Sequence, residues 1–201
     1  MAEKKALFEQ IKQAILDENE ERVKDLVNEA LEAKIPAYDI LMKGLNPGLV
    51  AAGEKYEKME FFLTDLMLIG EATKAVMDII QPHLKAEKVE ATGKVVIGTV
   101  EGDIHDIGKN IVIAMLSGAG FEVHDIGIDQ PTKNFVQKAI EVNADIVGAS
   151  AILGAVKFRV KEINEELRKA GIRDKVGLIC GGWGFTEEVA KNFGADAHGE
   201  D

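Results

Sequence analysis

The strongest constraint on the fold of this chain is a change of apolar pattern near residue 94. Beyond it, short apolar runs rich in β-branched residues alternate with segments of helical periodicity. The runs lie at 95–100, 122–126, 145–150 and 176–180, and the helical segments lie at 108–119, 132–142 and 155–170. Continuous apolar runs are typical of strands buried on both faces, and their alternation with helices predicts a doubly wound parallel sheet.

The first part of the chain follows a different period. From residue 3 to about 85 the apolar residues recur every three or four positions, which predicts four amphipathic helices in a small bundle. Helix breaks are predicted at 17–19 and 35–36, a bend at Gly44, Pro47 and Gly48, and the end of the last helix near Pro82. The charged stretch 85–94 loses the period and is predicted to be a linker. We therefore expect a helical domain over 1–88 and an α/β domain over 89–201.

Charge and composition exclude several kinds of partner. A formal net charge of −11 repels nucleic-acid backbones and anionic membrane surfaces, so neither is expected to bind. The single cysteine, Cys180, excludes an internal disulfide and a multi-thiolate metal site, as expected in a reducing compartment. The N-terminus lacks the apolar core of a signal peptide, and no run reaches the roughly 18 apolar residues of a membrane span. Cytoplasmic localisation is the expectation.

One histidine lies where a ligand is expected. In sheets of this kind, ligands bind outside the carboxyl ends of the strands, where the strand order reverses. The loop after the first predicted strand carries His105, whose imidazole could reach a metal complex while Asp103 accepts a hydrogen bond from the other ring nitrogen. Gly108 keeps the loop open beside the backbone. A histidine between two aspartates is by itself more often a loop-stabilising cap, so this loop alone leaves both interpretations open.

The loops after the third and fourth predicted strands are small and apolar. The third strand is followed by Ser150 and the small residues 151–155, and the fourth by Gly181 and Gly182. Two glycines at the end of a buried strand leave a groove without side chains, which suits an inserted planar or heterocyclic ligand. No phosphate-binding G-x-G-x-x-G follows the first strand, and this absence disfavours a dinucleotide.

These motifs resemble those of a known family. Gly102-Asp103-Ile104-His105-Asp106-Ile107-Gly108, then Ser150-x-Ile152, then Gly181-Gly182, is similar to the D-x-H-x-x-G, S-x-L and G-G signature of cobalamin-binding domains. With Lys109 and Asn110 the first string resembles the methyl-transferring branch, which includes cobalamin-dependent methionine synthase and the corrinoid proteins of methylamine, methanol and methoxyaromatic metabolism. The resemblance implies a Rossmann- or flavodoxin-like sheet that binds cobalamin or a related corrinoid, and with it cobalt.

The resemblance also implies roles for individual residues. His105 would be the lower axial ligand of the cobalt, with Asp103 as its hydrogen-bonded carboxylate, and both are expected to be catalytic. The nucleotide base would leave the cobalt and lie in the groove beside Ser150 and the glycine pair. The implied cofactor-binding residues of the α/β domain are Gly102, Asp103, Ile104, His105, Asp106, Ile107, Gly108, Ser150, Ile152, Leu153, Gly181 and Gly182.

The first domain takes part in the resemblance too. Residues 50–56, 61–63 and 66–67 are similar to the helical cap that covers the upper face of the cofactor in those proteins. Phe62 and Met67 are accordingly expected to face the cofactor. The alternative is that they, with Phe61 and Leu66, are bundle core, as such residues more often are.

The sequence departs from the family pattern in three places. Ile152 replaces the usual leucine, which is a conservative change. Gly154 and Val156 stand where methionine synthase has hydroxyl residues, so a proton relay from His105 and Asp103 to a third hydroxyl is not expected. The chain ends about where a fifth strand would finish, without the usual last helix.

Other residues that could carry chemistry are predicted to be structural. His124 and His198 also have nearby acidic residues, but His124 is placed within the second strand and His198 at the surface near the chain end. Cys180 is expected to act as a small hydrophobic residue. Trp183 could pack on the nucleotide tail or be an ordinary aromatic.

The function implied is that of a corrinoid protein that carries a methyl group on cobalt. Its partners would be a substrate-specific methyltransferase for a methylamine, methanol or a methoxyaromatic compound, an acceptor methyltransferase for a thiol or tetrahydrofolate, and a reductive activation protein. No substrate site of its own is evident, so the chain is expected to be a subunit of an enzyme system. The alternatives are the cobalamin-binding subunit of a mutase, a cobalamin-dependent regulatory module, which should bring a basic DNA-binding element, and a flavodoxin-like or receiver-type signalling domain, which leaves the His105 loop unexplained.

Overall fold

The computed structural model describes residues 2–183 and 185–199. The chain divides into two compact units, of which the first comprises Met1–Thr92 with Ala114–Gly120 and the second comprises Gly93–Ile113 with Phe121–Asp201. The boundary predicted between residues 88 and 89 therefore falls inside the first unit. The inclusion of Ala114–Gly120 in the first unit has no counterpart in the sequence-based division.

The first unit is built from helices. They are α1 (Ala2–Leu16), α2 (Glu20–Glu32), α3 (Ala37–Ile40), a π-helical turn (Leu41–Leu45), α4 (Asn46–Glu57) and α5 (Leu63–Ala86). Asn19 caps α2 because its side-chain oxygen accepts a hydrogen bond of 3.0 Å from the Arg22 amide. The predicted apolar stripe is buried at Ile11, Ile15 and Leu26, each of which stabilises the unit by about 2 kcal/mol.

The predicted bend at Gly44, Pro47 and Gly48 takes the form of a π-helical turn within a continuous helical run. Pro47 lies in the first turn of α4, directly after the π-helical turn. A Cβ atom on Gly44 would lie 3.3 Å from Ile11, and one on Gly48 would lie 3.1 Å from Ile15. Both glycines therefore permit close packing against α1.

The last helix extends a few residues beyond the end predicted near Pro82. Helix α5 includes Pro82 and continues to Ala86, with its cap at Glu87. A proline removes one helical hydrogen bond and need not end a helix whose packing persists. On the preceding turns Val76, Met77 and Ile80 are buried, and this apolar face supports the helix through the proline.

The second unit contains a five-stranded parallel sheet. Its strands are β1 (Lys94–Thr99), β2 (Glu122–Asp125), β3 (Ile146–Ser150), β4 (Gly177–Gly181) and β5 (Ala197–Gly199). Their order is β2-β1-β3-β4-β5, and every pairing is parallel. The predicted doubly wound sheet is confirmed. Because the order reverses at β1 and β3, the carboxyl ends of these two strands form the switch point at which such sheets bind ligands.

Helices connect successive strands of the sheet. They are α6 (Ile107–Gly118), α7 (Thr132–Val142), α8 (Arg159–Lys169) and α9 (Glu187–Phe193). The helix predicted from residue 155 starts at Arg159, because Gly154–Val156 form a 3-10 turn first. Helix α9 was not predicted. Thr186 caps it by accepting a hydrogen bond of 3.2 Å from the Val189 amide, and Gly194 ends it in the left-handed conformation.

Aliphatic residues make the core of the second unit. Val96 and Val147 of neighbouring strands are fully buried, and Phe135, Ile163 and Leu167 of α7 and α8 cover them. Cys180 belongs to this core, and burial raises the pKa of its thiol to about 11, which fits the predicted role of a small hydrophobic residue. Within the described residues, no helix is both long and apolar enough to cross a membrane.

Candidate functional site

Three strand ends lie side by side at the switch point. The pairing register places Thr99 of β1 opposite Ser150 of β3, and Ser150 opposite Gly181 of β4. The ladder continues one residue further, since the Val100 amide donates to the Ser150 carbonyl and the Ala151 amide to the Gly181 carbonyl, both at 3.0 Å. The three loops that sequence analysis selected therefore begin in one row at the carboxyl edge of the sheet.

The carboxylate of Asp103 joins two of these loops. Its Oδ1 accepts a hydrogen bond of 3.0 Å from the His105 amide and lies 2.6 Å from the imidazole Nδ1 of the same residue. Its Oδ2 accepts bonds from the Ile152 and Leu153 amides of the β3 loop, at 2.7 and 3.1 Å. Only 1% of Asp103 is exposed. A buried charge of this kind is retained because four donors surround it.

The protonation state of Asp103 follows from this environment. Burial favours the neutral acid and would raise the pKa of the carboxyl group. The bonds from the His105 and Leu153 amides, the His105 ring and the Ile152 amide favour the charged form and outweigh burial, so the pKa is lowered to about 2. At neutral pH the site therefore contains a fixed negative charge beneath the imidazole.

The imidazole of His105 is both held and accessible. Contact with Asp103 engages Nδ1, which leaves Nε2 as the ring nitrogen available to another partner. The side chain remains 49% exposed. The hydroxyl of Thr99 donates a 2.9 Å hydrogen bond to the His105 carbonyl and so fixes the backbone that carries the ring. An imidazole that is oriented by a carboxylate and open on its other nitrogen is suited to coordinate a metal.

The donor set restricts the kind of metal group. Across residues 2–183 and 185–199, no cluster of three or more histidine, cysteine or acidic side chains could hold a metal ion. His105 thus offers one protein ligand, whereas protein sites that bind a bare zinc ion need at least three. The arrangement fits a metal that arrives inside a macrocycle, which itself supplies the remaining donor atoms.

The comparison with known proteins agrees with that chemistry. Residues 93–201 match a family described as the B12 binding domain, and residues 7–81 match a second B12 binding domain family. The chain belongs to the B12-binding family. As a member of it, the protein binds a cobalamin or related corrinoid, as the sequence motifs indicated.

Individual relatives extend the similarity over the whole chain. Trimethylamine corrinoid protein 1 from Methanosarcina acetivorans is 41% identical over 202 aligned residues, which cover 100% of this chain and 94% of the relative. A crystallised cobalamin-binding protein from Desulfitobacterium hafniense is 36% identical, with a TM-score of 0.78 over 96% of this chain and 92% of that one. The methanol:cobalamin methyltransferase complex MtaBC from Methanosarcina barkeri contains a chain that is 27% identical, with a TM-score of 0.79 over 96% of this chain and 74% of that one.

Open space at particular glycines in this B12-binding protein fits a bulky cofactor. A Cβ atom built on Gly108 or Gly154 would have no neighbour within 4 Å, and one on Gly181 would be 3.9 Å from the nearest atom, the Gly199 carbonyl oxygen. Gly182 differs, because its φ is +119° and a Cβ atom there would lie 2.4 Å from the Ala151 carbonyl oxygen. Gly108 and Gly154 therefore border free space, a Cβ atom on Gly181 would make only an ordinary contact, and Gly182 permits a close backbone approach.

Apolar side chains on the site loops are exposed. Ile104 and Ile107 flank His105 in sequence, and Leu153 and Trp183 come from the loops after β3 and β4. Ile152 is half-buried, and its amide is engaged by Asp103. Exposed apolar side chains on several loops of one edge are typical of a ligand-binding surface. They suit contact with the face of a corrin ring.

The other predicted cofactor residues occupy distinct places. Gly102 has a φ of +89°, which favours glycine in the turn after β1. The Asp106 backbone carbonyl accepts a 2.8 Å bond from the Asn110 amide at the start of α6, and its carboxylate accepts a 3.2 Å bond from the Asn110 side chain. Ser150 is the last residue of β3 and is half-buried.

Phe62 and Met67 belong to the helical unit. Phe62 directly precedes α5 and is exposed, whereas Met67 is half-buried in the first turns of that helix. Of the four residues considered as possible bundle core, Leu66 alone is buried. Phe62 is thus free of the core, and its contact with the cofactor stays a prediction.

The two other histidines that have nearby acidic residues lie in strands. His124 lies in β2, as predicted, with Nε2 2.9 Å from the Glu122 carboxylate. His198 lies in β5 and is half-buried, with an Nε2 atom that has no hydrogen-bond partner among the described residues. The expected surface position of His198 is therefore wrong, because β5 pairs with β4.

Sequence analysis missed the residues that hold the histidine loop from outside. These residues are Thr99, Asp125 and Asp129. The pairing of Lys109 with Asp125 was not predicted either. Thr99 is a polar residue within an apolar strand, and this pattern was an available signal. The others act through contacts with segments far away in sequence, for which the chain contains no local pattern.

Proposed function

We propose that this B12-binding protein carries a methyl group on a corrinoid cobalt between two methyltransferases. The observation that carries the proposal is the His105–Asp103 pair at the switch point of a B12-binding sheet, in a chain that is 41% identical along its full length to a trimethylamine corrinoid protein. The bound corrinoid supplies a cobalt centre able to accept and release a methyl group.

The residues of the chain hold and orient the cofactor. His105 would bind the cobalt of the corrinoid through Nε2, and Asp103 keeps the ring in place through Nδ1. Asp103 also fixes the β3 loop through the Ile152 and Leu153 amides, so one carboxylate sets the distance between histidine and groove. The Ser150 hydroxyl and the end of β4 at Gly181, which carries no side chain, would receive the nucleotide tail.

A methylamine is the methyl donor that the comparisons favour. Trimethylamine and dimethylamine corrinoid proteins are 36–41% identical to this chain, whereas the chain in the methanol complex is 27% identical. The first partner is accordingly a methylamine:corrinoid methyltransferase. An acceptor methyltransferase for a thiol or tetrahydrofolate and a reductive activation protein complete the system, which operates in the cytoplasm.

The helical unit acts as the cap in this proposal. Family similarity over residues 7–81 extends through Phe62 and Met67, and the exposed Phe62 is available to cover a ligand.

A mutase subunit or a regulatory module would share the histidine motif, and both remain alternatives. Similarity to small corrinoid proteins over more than 90% of both chains favours the methyl carrier.

Reconstitution tests the function directly. The cofactor-free protein is loaded with a corrinoid, reduced, and incubated with each of trimethylamine, dimethylamine and methanol plus the methyltransferase that co-purifies with it. We expect the corrinoid to be methylated when the donor is a methylamine and not when it is methanol. The His105→Ala variant should give no methylated product. Methylation with none of the donors, while a mutase or DNA partner co-purifies, would contradict the proposal.

A further inference from the structure

The loop between β2 and α7 runs beside the histidine segment of the second unit. Its backbone forms hydrogen bonds of 2.9 Å with β1, in which the Thr99 amide donates to the Gly127 carbonyl and the Gln130 amide to the Thr99 carbonyl. Val100 and Gln130 form a parallel bridge. Residues 126–130 thus act as a short extension of the sheet, next to the turn from which His105 projects.

Asp129 makes a reciprocal pair of hydrogen bonds with that turn. Its Oδ1 accepts a 2.7 Å bond from the Gly102 amide, and its own amide donates a 3.0 Å bond to the Asp103 carbonyl. Its φ is +53°, a left-handed conformation that aspartate and asparagine tolerate better than most residues. This conformation lets one residue bind the backbone of two consecutive residues, Gly102 and Asp103.

Lys109 and Asp125 stabilise the same loop from its other end. The Lys109 ammonium, buried in the first turn of α6, donates to Asp125 Oδ2 at 2.8 Å and to Asn110 Oδ1 at 2.9 Å. Asp125 Oδ1 accepts a 2.9 Å bond from the Gly127 amide. The β2–α7 loop is therefore tied to the chain both before and after His105, and its position is set before any ligand binds.

We infer that Asp129 is a positioning residue for the axial histidine, an inference that rests on the proposed ligation of cobalt by His105. The path is continuous: Asp129 holds the backbone of Gly102 and Asp103, and the Asp103 carboxylate holds the His105 ring. Asp129 itself is exposed and does not contact the ring. Its removal should free the Asp103 backbone and leave the imidazole less well oriented. Asp129 is not among the predicted cofactor-binding residues, so no predicted cofactor contact is lost.

Electron paramagnetic resonance of the cobalt(II) form measures the consequence. The protein is prepared with isotopically labelled histidine. The readout is the ratio of cobalt with an axial histidine nitrogen to cobalt without one, and only protein-bound corrinoid is counted. The label separates His105 from the nucleotide base, and His105→Ala supplies the uncoordinated reference. We expect Asp129→Gly to lower the ratio about tenfold, because loss of a partner that orients a metal ligand weakens coordination to that degree.

Two matched variants distinguish a positioning role of Asp129 from a general loss of stability. Asp129→Asn retains an Oδ1 acceptor and tolerates the left-handed conformation, so its ratio should stay within about twofold of wild type. Asn143→Gly alters another left-handed residue of the same unit, at the end of α7, and should leave the ratio unchanged. Thermal unfolding of each variant shows whether stability changes in parallel.

Each outcome decides the inference. A tenfold fall in Asp129→Gly, with Asp129→Asn and Asn143→Gly near wild type, supports it. An unchanged ratio in Asp129→Gly, or an equal fall in either matched variant, overturns it while axial ligation stands. Absence of the histidine signal in the wild-type protein refutes the proposed ligation, and the inference falls with it.

Discussion

Asp103 is the residue on which the site depends most. Its carboxylate is buried, accepts bonds from two loops and keeps its charge because those donors outweigh the desolvation that burial imposes. Sequence motifs assigned it one partner, the His105 ring. Its additional bonds to the Ile152 and Leu153 amides make it a structural tie as well, so its substitution should affect stability before any cofactor binds.

The lowered pKa of Asp103 predicts a pH dependence of stability in the cofactor-free protein. The folded pKa of about 2 lies below the unfolded value of 3.8, so the charged form contributes about 2 kcal/mol above pH 4 and loses it as the pH falls towards 2. Wild type should lose about 1 kcal/mol more than Asp103→Asn between about pH 5 and about pH 3. Urea unfolding at each pH measures the difference. A gap that stays constant with pH would refute the assigned shift.

The buried ion pair beside the histidine loop predicts an asymmetry between its two partners. The Lys109 side chain is 2% exposed and that of Asp125 is 39% exposed. Asp125→Ala should destabilise the protein by about 3 kcal/mol, because it strands an ammonium group in the interior. Lys109→Met should lower the free energy of unfolding by only about 1 kcal/mol, since the remaining Asp125 carboxylate is accessible to water. Equal losses in urea unfolding would contradict this account.

At the scale of the element, the site is a property of strand ends. The register aligns Thr99, Ser150 and Gly181, and each of the three strands delivers one loop to the same edge. Gly181 ends β4 and Gly182 follows it, and the two glycines have different roles. Gly181 is predicted to leave space for a ligand, whereas Gly182 avoids a clash with the Ala151 backbone.

Valine substitutions distinguish these two glycines. Gly181→Val should fold normally but bind corrinoid at least about tenfold more weakly, which corresponds to about 1.4 kcal/mol. Gly182→Val should lose about 3 kcal/mol of stability, since its Cβ would clash with the Ala151 backbone at a positive φ. Corrinoid titration and thermal unfolding measure the two effects.

A matched control comes from the other end of β4. A Cβ atom on Gly177 would make ordinary contacts, 3.7 Å from the Asp145 carbonyl oxygen and 3.9 Å from Ile146. Gly177→Val should therefore bind corrinoid like the wild type. If Gly181→Val also binds at full affinity, the groove does not include Gly181.

At the scale of the whole molecule, the two units share a helix. The first part of α6 belongs to the second unit, and Ala114–Gly120 belong to the first. A Cβ atom on Gly118 would clash with the side chain of Leu49, so this end of α6 packs closely within the helical unit. A helix divided in this way links the folding of both units.

Cooperative unfolding is the expected result of that shared helix. Calorimetry of the cofactor-free protein should give one thermal transition with equal calorimetric and van't Hoff enthalpies, because neither unit can unfold without disrupting α6. Scans at two rates check that the transition is reversible. Two resolved transitions would show that the units unfold independently.

The sequence alone determined the parts of this protein that depend on local pattern. The apolar periods placed the strands and most helices correctly, and the resemblance of the motifs at Asp103, His105, Ser150 and the glycine pair to cobalamin-binding domains indicated a cobalamin site. These features are readable because periodicity and loop motifs involve residues that are close together in the chain. The fate of Pro82, the extra helix α9 and the sharing of α6 were not readable, since packing against other elements decided them.

Tertiary structure decided which distant segments complete the site. Asp103 reaches Ile152 across 49 positions and Asp129 reaches Gly102 across 27, and both contacts exist because β1 lies between β2 and β3. Strand order follows from the packing of the whole unit, and no local pattern encodes it. The motif therefore predicted which residue would bind the cobalt, whereas the fold alone determined what holds that residue in place.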